Sequence, residues 1–224
     1  MSIDTPLQVD VIVDTMCPWC FLGKRRLDKA LKARPDIAVD IRWRPYQLDP
    51  TIPREGMARK DYLERKFGAS GSSNTRYKPV TMAGLEEDIA FDFDKIKKAP
   101  NTIDSHRLIR WASNENCQDE MVEHLFKLYF EDGADIGDRQ VLLKAAEHVG
   151  MDVELVDRLL SSDADRDLIE QEIAQAREIG VQGVPTYIFG NKYVLTGAQE
   201  ASVLVNAIEQ IVQQAGEDEA EVAG

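Results

Sequence analysis

Apolar and polar residues alternate at the start of the chain. Every second residue from Leu7 to Val13 is apolar, and polar residues fill most positions between them. This period of two predicts a β-strand. Ile12 interrupts the polar side, so we expect both faces of this strand to be covered.

The next segment has the spacing of a helix. Leu27, Ala30 and Leu31 share one helical face, the basic residues between 24 and 32 lie elsewhere, and Pro35 ends the pattern. A second strand is predicted from about Val39 to Tyr46. Strand, helix and strand in this order are typical of a parallel crossover.

The middle of the chain is predominantly helical in pattern. Helical stripes recur between residues 84 and 180, and strands return only at 186–189 and 193–196, around a Gly190-Asn191 turn. A last helical stripe runs through Val203, Ala207 and Ile211. A two-stranded ribbon is marginal alone, so we expect it to join the N-terminal sheet.

This order predicts an α/β fold that a large all-helical domain interrupts. The α/β part comprises 6–50 and 176–215, the inserted domain 51–175, and an acidic, flexible tail 216–224. The alternative is two successive domains, one α/β and one all-α. The terminal hairpin disfavours it, because that hairpin needs the N-terminal strands as partners.

Composition narrows the function classes. The chain has 224 residues and a net charge of −13, from 27 basic and 40 acidic residues. Such an acidic surface disfavours nucleic acid and anionic lipid as partners. No apolar run approaches the roughly 20 residues that span a bilayer, and the N-terminus lacks the pattern of a secretory signal. We therefore expect a cytoplasmic protein.

The candidate chemistry lies directly after the first strand, at Cys17-Pro18-Trp19-Cys20. Pro18 suits the first turn of a helix. The free N–H groups of that turn and the helix dipole would stabilise a thiolate at Cys17, which is the form that attacks disulfides. We expect Cys17 to be the nucleophile and Cys20 the resolving thiol.

The cysteine pair allows three other interpretations. A zinc site needs two more ligands, and the candidates lack a second close pair: Cys117, His106, His124 and His148. We therefore expect no metal. Both cysteines could instead be inert, which the intervening Pro-Trp disfavours. The fold could also serve conjugation or isomerisation, which remains the serious alternative.

A second signal is Gly183-Val184-Pro185-Thr186-Tyr187, at the start of the terminal hairpin. Proline cannot donate to a strand ladder, and an X-Pro bond adopts the cis form at modest cost. We expect Val184-Pro185 to be cis and to lie beside the Cys17 sulfur. The backbone groups of Val184 could then pair with an extended substrate.

Together these motifs resemble the DsbA-like thioredoxin superfamily, and within it the cytoplasmic FrnE-type proteins. The resemblance covers nearly the whole chain. It rests on five segments: Asp14-x-x-Cys-Pro-Trp-Cys20, Arg44-Pro-Tyr-Gln-Leu-Asp-Pro50, Asn101-Thr-x-x-x-His-Arg-Leu108, Gly183-Val-Pro-Thr-Tyr187 and Leu195-Thr-Gly-Ala-Gln199. It implies a thioredoxin-like fold with an inserted helical domain, a cis proline facing the cysteines, and dithiol–disulfide exchange.

The sequence departs from related proteins at informative positions. The related glutathione-dependent 2-hydroxychromene-2-carboxylate isomerases typically carry Ser at the position of Cys17. No cysteine follows Cys117, so a C-terminal cysteine pair, present in some FrnE-type proteins, is absent. The buried acid that precedes the first cysteine by six residues in thioredoxin is replaced by Val11. Asp14 is closer to the first cysteine in the sequence, and the group that accepts the proton of Cys20 is not assigned.

The resemblance implies a disulfide oxidoreductase that acts on proteins or small molecules and needs no bound cofactor. Glutathione is a candidate co-substrate, and the oligomeric state is open. Asn101 and His106 match a family motif and are candidate substrate contacts beside Cys17, while Trp19 is a candidate substrate-facing surface. The alternatives are a glutathione-dependent isomerase or transferase, and a binding or chaperone-like protein that uses the cleft between domains.

Overall fold

The structure, a computed structural model, describes residues 6–68 and 74–222. Its helices are α1 (Pro18–Ala33), α2 (Arg59–Phe67), α3 (Lys78–Leu85), α4 (Ile103–Asn114), α5 (Gln118–Phe130), α6 (Arg139–His148), α7 (Val153–Leu160), α8 (Arg166–Glu178) and α9 (Ala201–Val222). Its strands are β1 (Leu7–Val13), β2 (Val39–Pro45), β3 (Met57–Ala58), β4 (Lys98–Ala99), β5 (Thr186–Phe189) and β6 (Tyr193–Thr196).

Four strands form the main sheet, in the order β2-β1-β5-β6. β1 runs parallel to β2 and antiparallel to β5, so that Val11 stands between Trp43 and Tyr187. β5 and β6 form the predicted hairpin. The expectation that the C-terminal hairpin completes the N-terminal sheet is therefore confirmed, and so is the split α/β frame.

Both faces of β1 are covered, as Ile12 predicted. Val9, Val11 and Val13 belong to the main core. On the opposite face, Ile12 is buried in a smaller cluster that includes Ala176 of α8. A strand that lies in the middle of a sheet and carries helices on both sides loses water from both faces, which explains why its hydrophobic pattern is not a clean alternation.

Helix α1 is more enclosed than its sequence indicated. Lys24, expected on a polar face, is buried and pairs with Asp28 at 2.8 Å and with Asp119 of α5 at 2.9 Å. Burial alone would lower the pKa of Lys24, but these carboxylates outweigh it and raise the pKa. The inserted α5 thus covers the face of α1 that an isolated helix would expose.

The inserted segment is largely helical and shares one core with the sheet. Buried residues of α4 and α5, including Leu108, Met121 and Phe126, belong to the same cluster as Val11 and Phe21. One detail differs from the all-helical expectation, because β3 and β4 form a short antiparallel ribbon. With two residues in each strand, such a ribbon leaves no periodic signal in the sequence.

Two expected boundaries shift in the structure. Helix α8 crosses the predicted 175/176 boundary, with Ile169 and Ile173 packed on Ile103 of the insert and Ala176 packed on the sheet side. Helix α9 continues to Val222, so residues 216–222, predicted as a tail, have helical backbone. No helix within residues 6–68 and 74–222 is long and apolar enough to cross a membrane.

Candidate active site

Cys17 lies at the junction between β1 and α1, at the start of a helix of 16 residues. It is the N-cap residue of α1, and Pro18 occupies the first helical turn as expected. The Cys17 amide donates to the Asp14 carbonyl at 2.9 Å, which closes a tight turn between strand and helix. The first turn of α1 contains no acidic residue, so the helix dipole favours negative charge at the sulfur.

The two active-site thiols differ in burial. Cys17 is 5% exposed and Cys20 0%, while Trp19 between them is 41% exposed. Both cysteines are reduced, and the Cys17 side chain is a hydrogen-bond partner of the Cys20 thiol. Burial raises the pKa of Cys20, and the neighbouring Cys17 and the charge of Asp14 raise it further. Cys20 is therefore the thiol that stays protonated in the reduced protein.

The loop before β5 faces the nucleophile. The Val184-Pro185 bond is cis, as expected from the sequence. The Cys17 sulfur lies 3.7 Å from the Val184 carbonyl oxygen, although 167 residues separate them in the chain. Pro185 is buried and Val184 is half-buried. The structure thus brings the two most informative sequence motifs together at one site.

Asp14 is a buried carboxylate behind the cysteines. Its side chain is fully buried and accepts hydrogen bonds from the Leu48 amide at 2.7 Å and the Met16 amide at 3.3 Å. A backbone hydrogen bond from Asp14 also reaches Cys20. Asp14 is therefore a buried acid at the resolving thiol, although its parity along β1 is opposite to that of Val11.

Asn101 and His106 lie behind this network. His106 is 2% exposed, and its Nε2 lies 2.9 Å from the Tyr46 carbonyl oxygen and 3.8 Å from Asp14. Asn101 donates to the Ile52 carbonyl and accepts from the Ile103 amide. Neither residue lines the cavity beside Cys17. Their role in substrate binding stays a prediction, and buried His106 can act on the site only through the groups it contacts.

A cavity of about 340 Å³ opens beside Cys17, and sequence reasoning did not anticipate it. Its wall combines the active-site loop, Leu48, α2, residues 76–80 around the start of α3, Phe93 before β4 and Phe130 of α5. Aromatic side chains dominate the far wall: Tyr62, Phe67, Tyr77, Phe93 and Phe130. Three cationic side chains complete it: Arg59, Lys66 and Arg76. The sequence offered one signal, which is the concentration of aromatic and basic residues between 59 and 77.

The third cysteine lies away from this site. Cys117 is half-buried at the start of α5, and its sulfur lies 3.6 Å from the Ala112 carbonyl oxygen. Burial and the charges of Glu120 and Glu115 raise the pKa of its thiol. Within residues 6–68 and 74–222, no group of three His, Cys, Asp or Glu side chains could hold a metal ion.

Comparisons with known proteins agree with this geometry. Residues 8–209 match the DsbA-like thioredoxin domain family. The uncharacterised protein YwbO of Bacillus subtilis (strain 168) is 26% identical over 208 residues, which cover 90% of this chain and 96% of that protein. A probable DsbA oxidoreductase from Streptomyces coelicolor has a TM-score of 0.83 and 27% identity, with 91% of this chain and 89% of that chain covered.

More distant structures share the fold. A 2-hydroxychromene-2-carboxylate isomerase has a TM-score of 0.69 at 19% identity, with 94% of this chain and 98% of that chain covered. The cytosolic disulfide reductase DsbM from Pseudomonas aeruginosa, solved with GSH, has a TM-score of 0.59 at 15% identity, with 94% of this chain and 100% of that chain covered. The family match spans nearly the whole chain and includes both active-site cysteines. This chain belongs to the DsbA-like thioredoxin domain family of disulfide oxidoreductases.

Proposed function

We propose that the protein catalyses dithiol–disulfide exchange with Cys17 as nucleophile and Cys20 as resolving thiol. The observation that carries this proposal is the asymmetry of the pair. Cys17 lies at a helix N-terminus and faces the Val184 carbonyl and the cavity, whereas Cys20 is buried behind it. Such an arrangement presents the Cys17 sulfur to a substrate and holds the proton on Cys20 until a mixed disulfide forms.

The exchange proceeds in two steps, which together transfer two electrons from the cysteine pair to the substrate disulfide. The Cys17 thiolate attacks one sulfur of a substrate disulfide, forming a mixed disulfide and releasing one substrate thiolate. Cys20 then loses its proton and attacks the Cys17 sulfur, which releases the second thiol and leaves a Cys17–Cys20 disulfide. Asp14 is the candidate acceptor for the Cys20 proton, because it is the buried carboxylate whose charge acts on that thiol.

Substrate access is proposed along two surfaces. The Val184 carbonyl can accept a hydrogen bond from an extended substrate segment beside Cys17. Trp19 and the aromatic wall of the cavity can pack on the apolar part of the substrate. Glutathione as a co-substrate, the FrnE-type subgroup and a cytoplasmic location belong to this proposal, and each rests on the sequence motifs described above.

The intact resolving thiol separates this function from the isomerase alternative. The fold itself does not, because a 2-hydroxychromene-2-carboxylate isomerase shares it. Isomerisation that uses the thiol of glutathione requires no second protein cysteine. Redox exchange requires Cys20, so the Cys20→Ser variant distinguishes the two reactions.

The test mixes pre-reduced protein with bis(hydroxyethyl) disulfide and follows intact mass after an acid quench. The wild type should lose its two thiol hydrogens and form the internal disulfide. Cys20→Ser should accumulate the mixed disulfide, and Cys17→Ser should remain unmodified at the active site. Cys117→Ala serves as the matched control and should behave as the wild type, because its sulfur lies outside the site.

Two results would contradict the proposal. Modification of Cys20 before Cys17, located by peptide mapping, would reverse the assigned roles. A wild type that stops at the mixed disulfide, as Cys20→Ser is expected to do, would remove the assigned role of Cys20 as resolving thiol.

A further inference from the structure

Arg59 is a buried cation that has no anionic partner among the side chains the structure describes. It lies on the cavity wall at the start of α2 and is 9% exposed. Its guanidinium lies 5.3 Å from the ring centre of Tyr77 and 5.8 Å from that of Phe93. Among the side chains of residues 6–68 and 76–216, no carboxylate accepts a hydrogen bond from the Arg59 side chain, and no carbonyl of the described backbone does.

The rest of the cavity adds to this positive charge. Lys66 stacks on Phe67 and donates to the Tyr62 hydroxyl, and Arg76 lies 4.1 Å above the Phe67 ring centre. Neither forms an ion pair within the described part of the chain. No Asp or Glu of the described part of the chain lines the cavity. The protein has a net charge of −13, yet the cavity wall beside Cys17 carries three cationic side chains, Arg59, Lys66 and Arg76.

This arrangement is costly unless a ligand completes it. A buried charge loses its hydration, and interaction with ring faces restores only part of that loss. Elsewhere in the molecule buried cations are paired, as Lys24 is with Asp28 and Asp119. The planar guanidinium of arginine matches a carboxylate through two parallel hydrogen bonds. Arg59 therefore has the chemistry of a carboxylate receptor that the chain itself does not fill.

We propose that this cavity binds the carboxylate-bearing arm of a small disulfide, with Arg59 holding the carboxylate and the aromatic wall packing on the carbon chain. The inference rests on the proposed function and names its substrate class. A volume of about 340 Å³ suits a small molecule rather than a folded chain. In the exchange, Cys17 and Cys20 give two electrons to the substrate disulfide, and the substrate leaves as two thiols.

The test compares two disulfides of the same shape. Dithiodipropionate carries a carboxylate at each end, and its diamide is the neutral equivalent. Pre-reduced protein is mixed with each, and the second-order rate constant of enzyme thiol loss is measured by acid quench. A single ion pair of about 1.4 kcal/mol corresponds to a tenfold change in binding. Arg59→Gln should therefore lower the dicarboxylate-to-diamide rate ratio about tenfold, and Arg59→Lys should lower it less.

A matched control removes the same charge elsewhere. Arg139 lies on α6, is partly exposed and pairs with Asp157. Arg139→Gln should keep the wild-type rate ratio. An equal ratio in wild type and Arg59→Gln would overturn the inference. Failure of the wild type to reduce the diamide would instead overturn the proposed function, so the two failures are distinguishable.

A non-reacting competitor gives an independent measurement. Octanedioate replaces both sulfurs of dithiodipropionate by methylene groups, and octanediamide is its neutral equivalent. Octanedioate should inhibit diamide reduction by the wild type about tenfold more strongly than octanediamide does. If Arg59→Gln does not fold, this comparison and Arg59→Lys decide the question. Equal inhibition by the two compounds would contradict the inference.

Discussion

At the scale of single residues, the Cys20 thiol couples the stability of the reduced protein to pH. Burial raises its pKa above the ordinary value of 9.0, so the folded state retains a proton that the unfolded chain gives up. The stabilising contribution is complete below pH 9 and is lost as the pH rises toward the folded-state pKa. Above that value of 9, the free energy of unfolding should fall by up to about 1.4 kcal/mol per pH unit.

The measurement is urea denaturation of the reduced protein between pH 7 and pH 10.5, in parallel with Cys20→Ser. Other groups titrate in this range, including tyrosines, and the variant shares them. Plotted against pH, the free energy of unfolding of the wild type should therefore fall below that of the variant only above about pH 9. Parallel curves throughout would show that Cys20 titrates as an ordinary thiol.

At the scale of elements, the contact between α1 and β5 depends on Gly23. A Cβ atom at this position would lie 2.5 Å from the Tyr187 hydroxyl and 2.7 Å from Cγ of Pro185. The Tyr187 hydroxyl is buried and has no hydrogen-bond partner in the described part of the chain. The helix and the active-site strand thus meet where only a glycine fits.

Gly23→Ala should destabilise the protein by about 1–3 kcal/mol through overpacking, although alanine is the better helix former. Tyr187→Phe should be neutral or stabilising by about 1 kcal/mol, because it removes an unsatisfied polar group. The double variant should be more stable than Gly23→Ala alone. Denaturant unfolding of all four proteins gives the coupling energy. A coupling of zero would mean that α1 shifts away from the strand instead.

Arg107 of α4 joins two other elements. It is fully buried, and its guanidinium donates to the Leu159 carbonyl in the last turn of α7, to the Ser162 and Ala164 carbonyls between α7 and α8, and to Asp104. These carbonyls lie at or just after the end of a helix, where the regular intrahelical donors run out. Arg107 explains why an arginine stands in the motif that also contains Asn101 and His106.

Arg107→Met should cost about 3–5 kcal/mol, because it leaves several buried polar groups without partners. Arg110→Met on the same helix is the control. Arg110 is partly exposed and pairs with Glu172, so its loss should cost less than about 1 kcal/mol. Equal effects in urea denaturation would contradict the assigned role of Arg107.

At the scale of the whole molecule, the frame and the insert share one hydrophobic core. Helix α8 packs on both, and Lys24 of α1 is buried against α5. Separate unfolding of the insert would expose the α1 face and take Asp119 away from Lys24, which would keep only Asp28 of its own helix as a partner. We therefore expect one cooperative unit rather than two.

Unfolding followed by tryptophan fluorescence and by far-ultraviolet circular dichroism should give coincident transitions. The tryptophans report on both parts, since Trp19 and Trp43 lie in the frame and Trp111 in the insert. Met121→Ala changes a buried residue of the insert. It should lower the free energy of unfolding by about 2–5 kcal/mol, and by the same amount with both probes. Two separated transitions would show that the insert folds independently.

The sequence by itself determined the parts whose information is local. Alternation predicted β1, the position of Pro18 predicted the start of α1, and the order of elements predicted the split frame. The family resemblance of the sequence motifs implied the cis Val184-Pro185 bond and its position beside Cys17. Local backbone preferences and short-range spacing carry the first strand, the helix start and the order of elements, so these can be inferred without tertiary contacts.

Tertiary structure decided what depends on chain segments that are far apart. Only packing showed that α5 buries Lys24, that His106 is enclosed, and that α8 spans the expected boundary. The cavity with Arg59 is formed by six separate segments of the chain, and only the stretch of residues 59–77 carries a signal in its sequence. Burial and charge pairing arise from the distance between side chains in space, which the spacing of residues along the chain does not record.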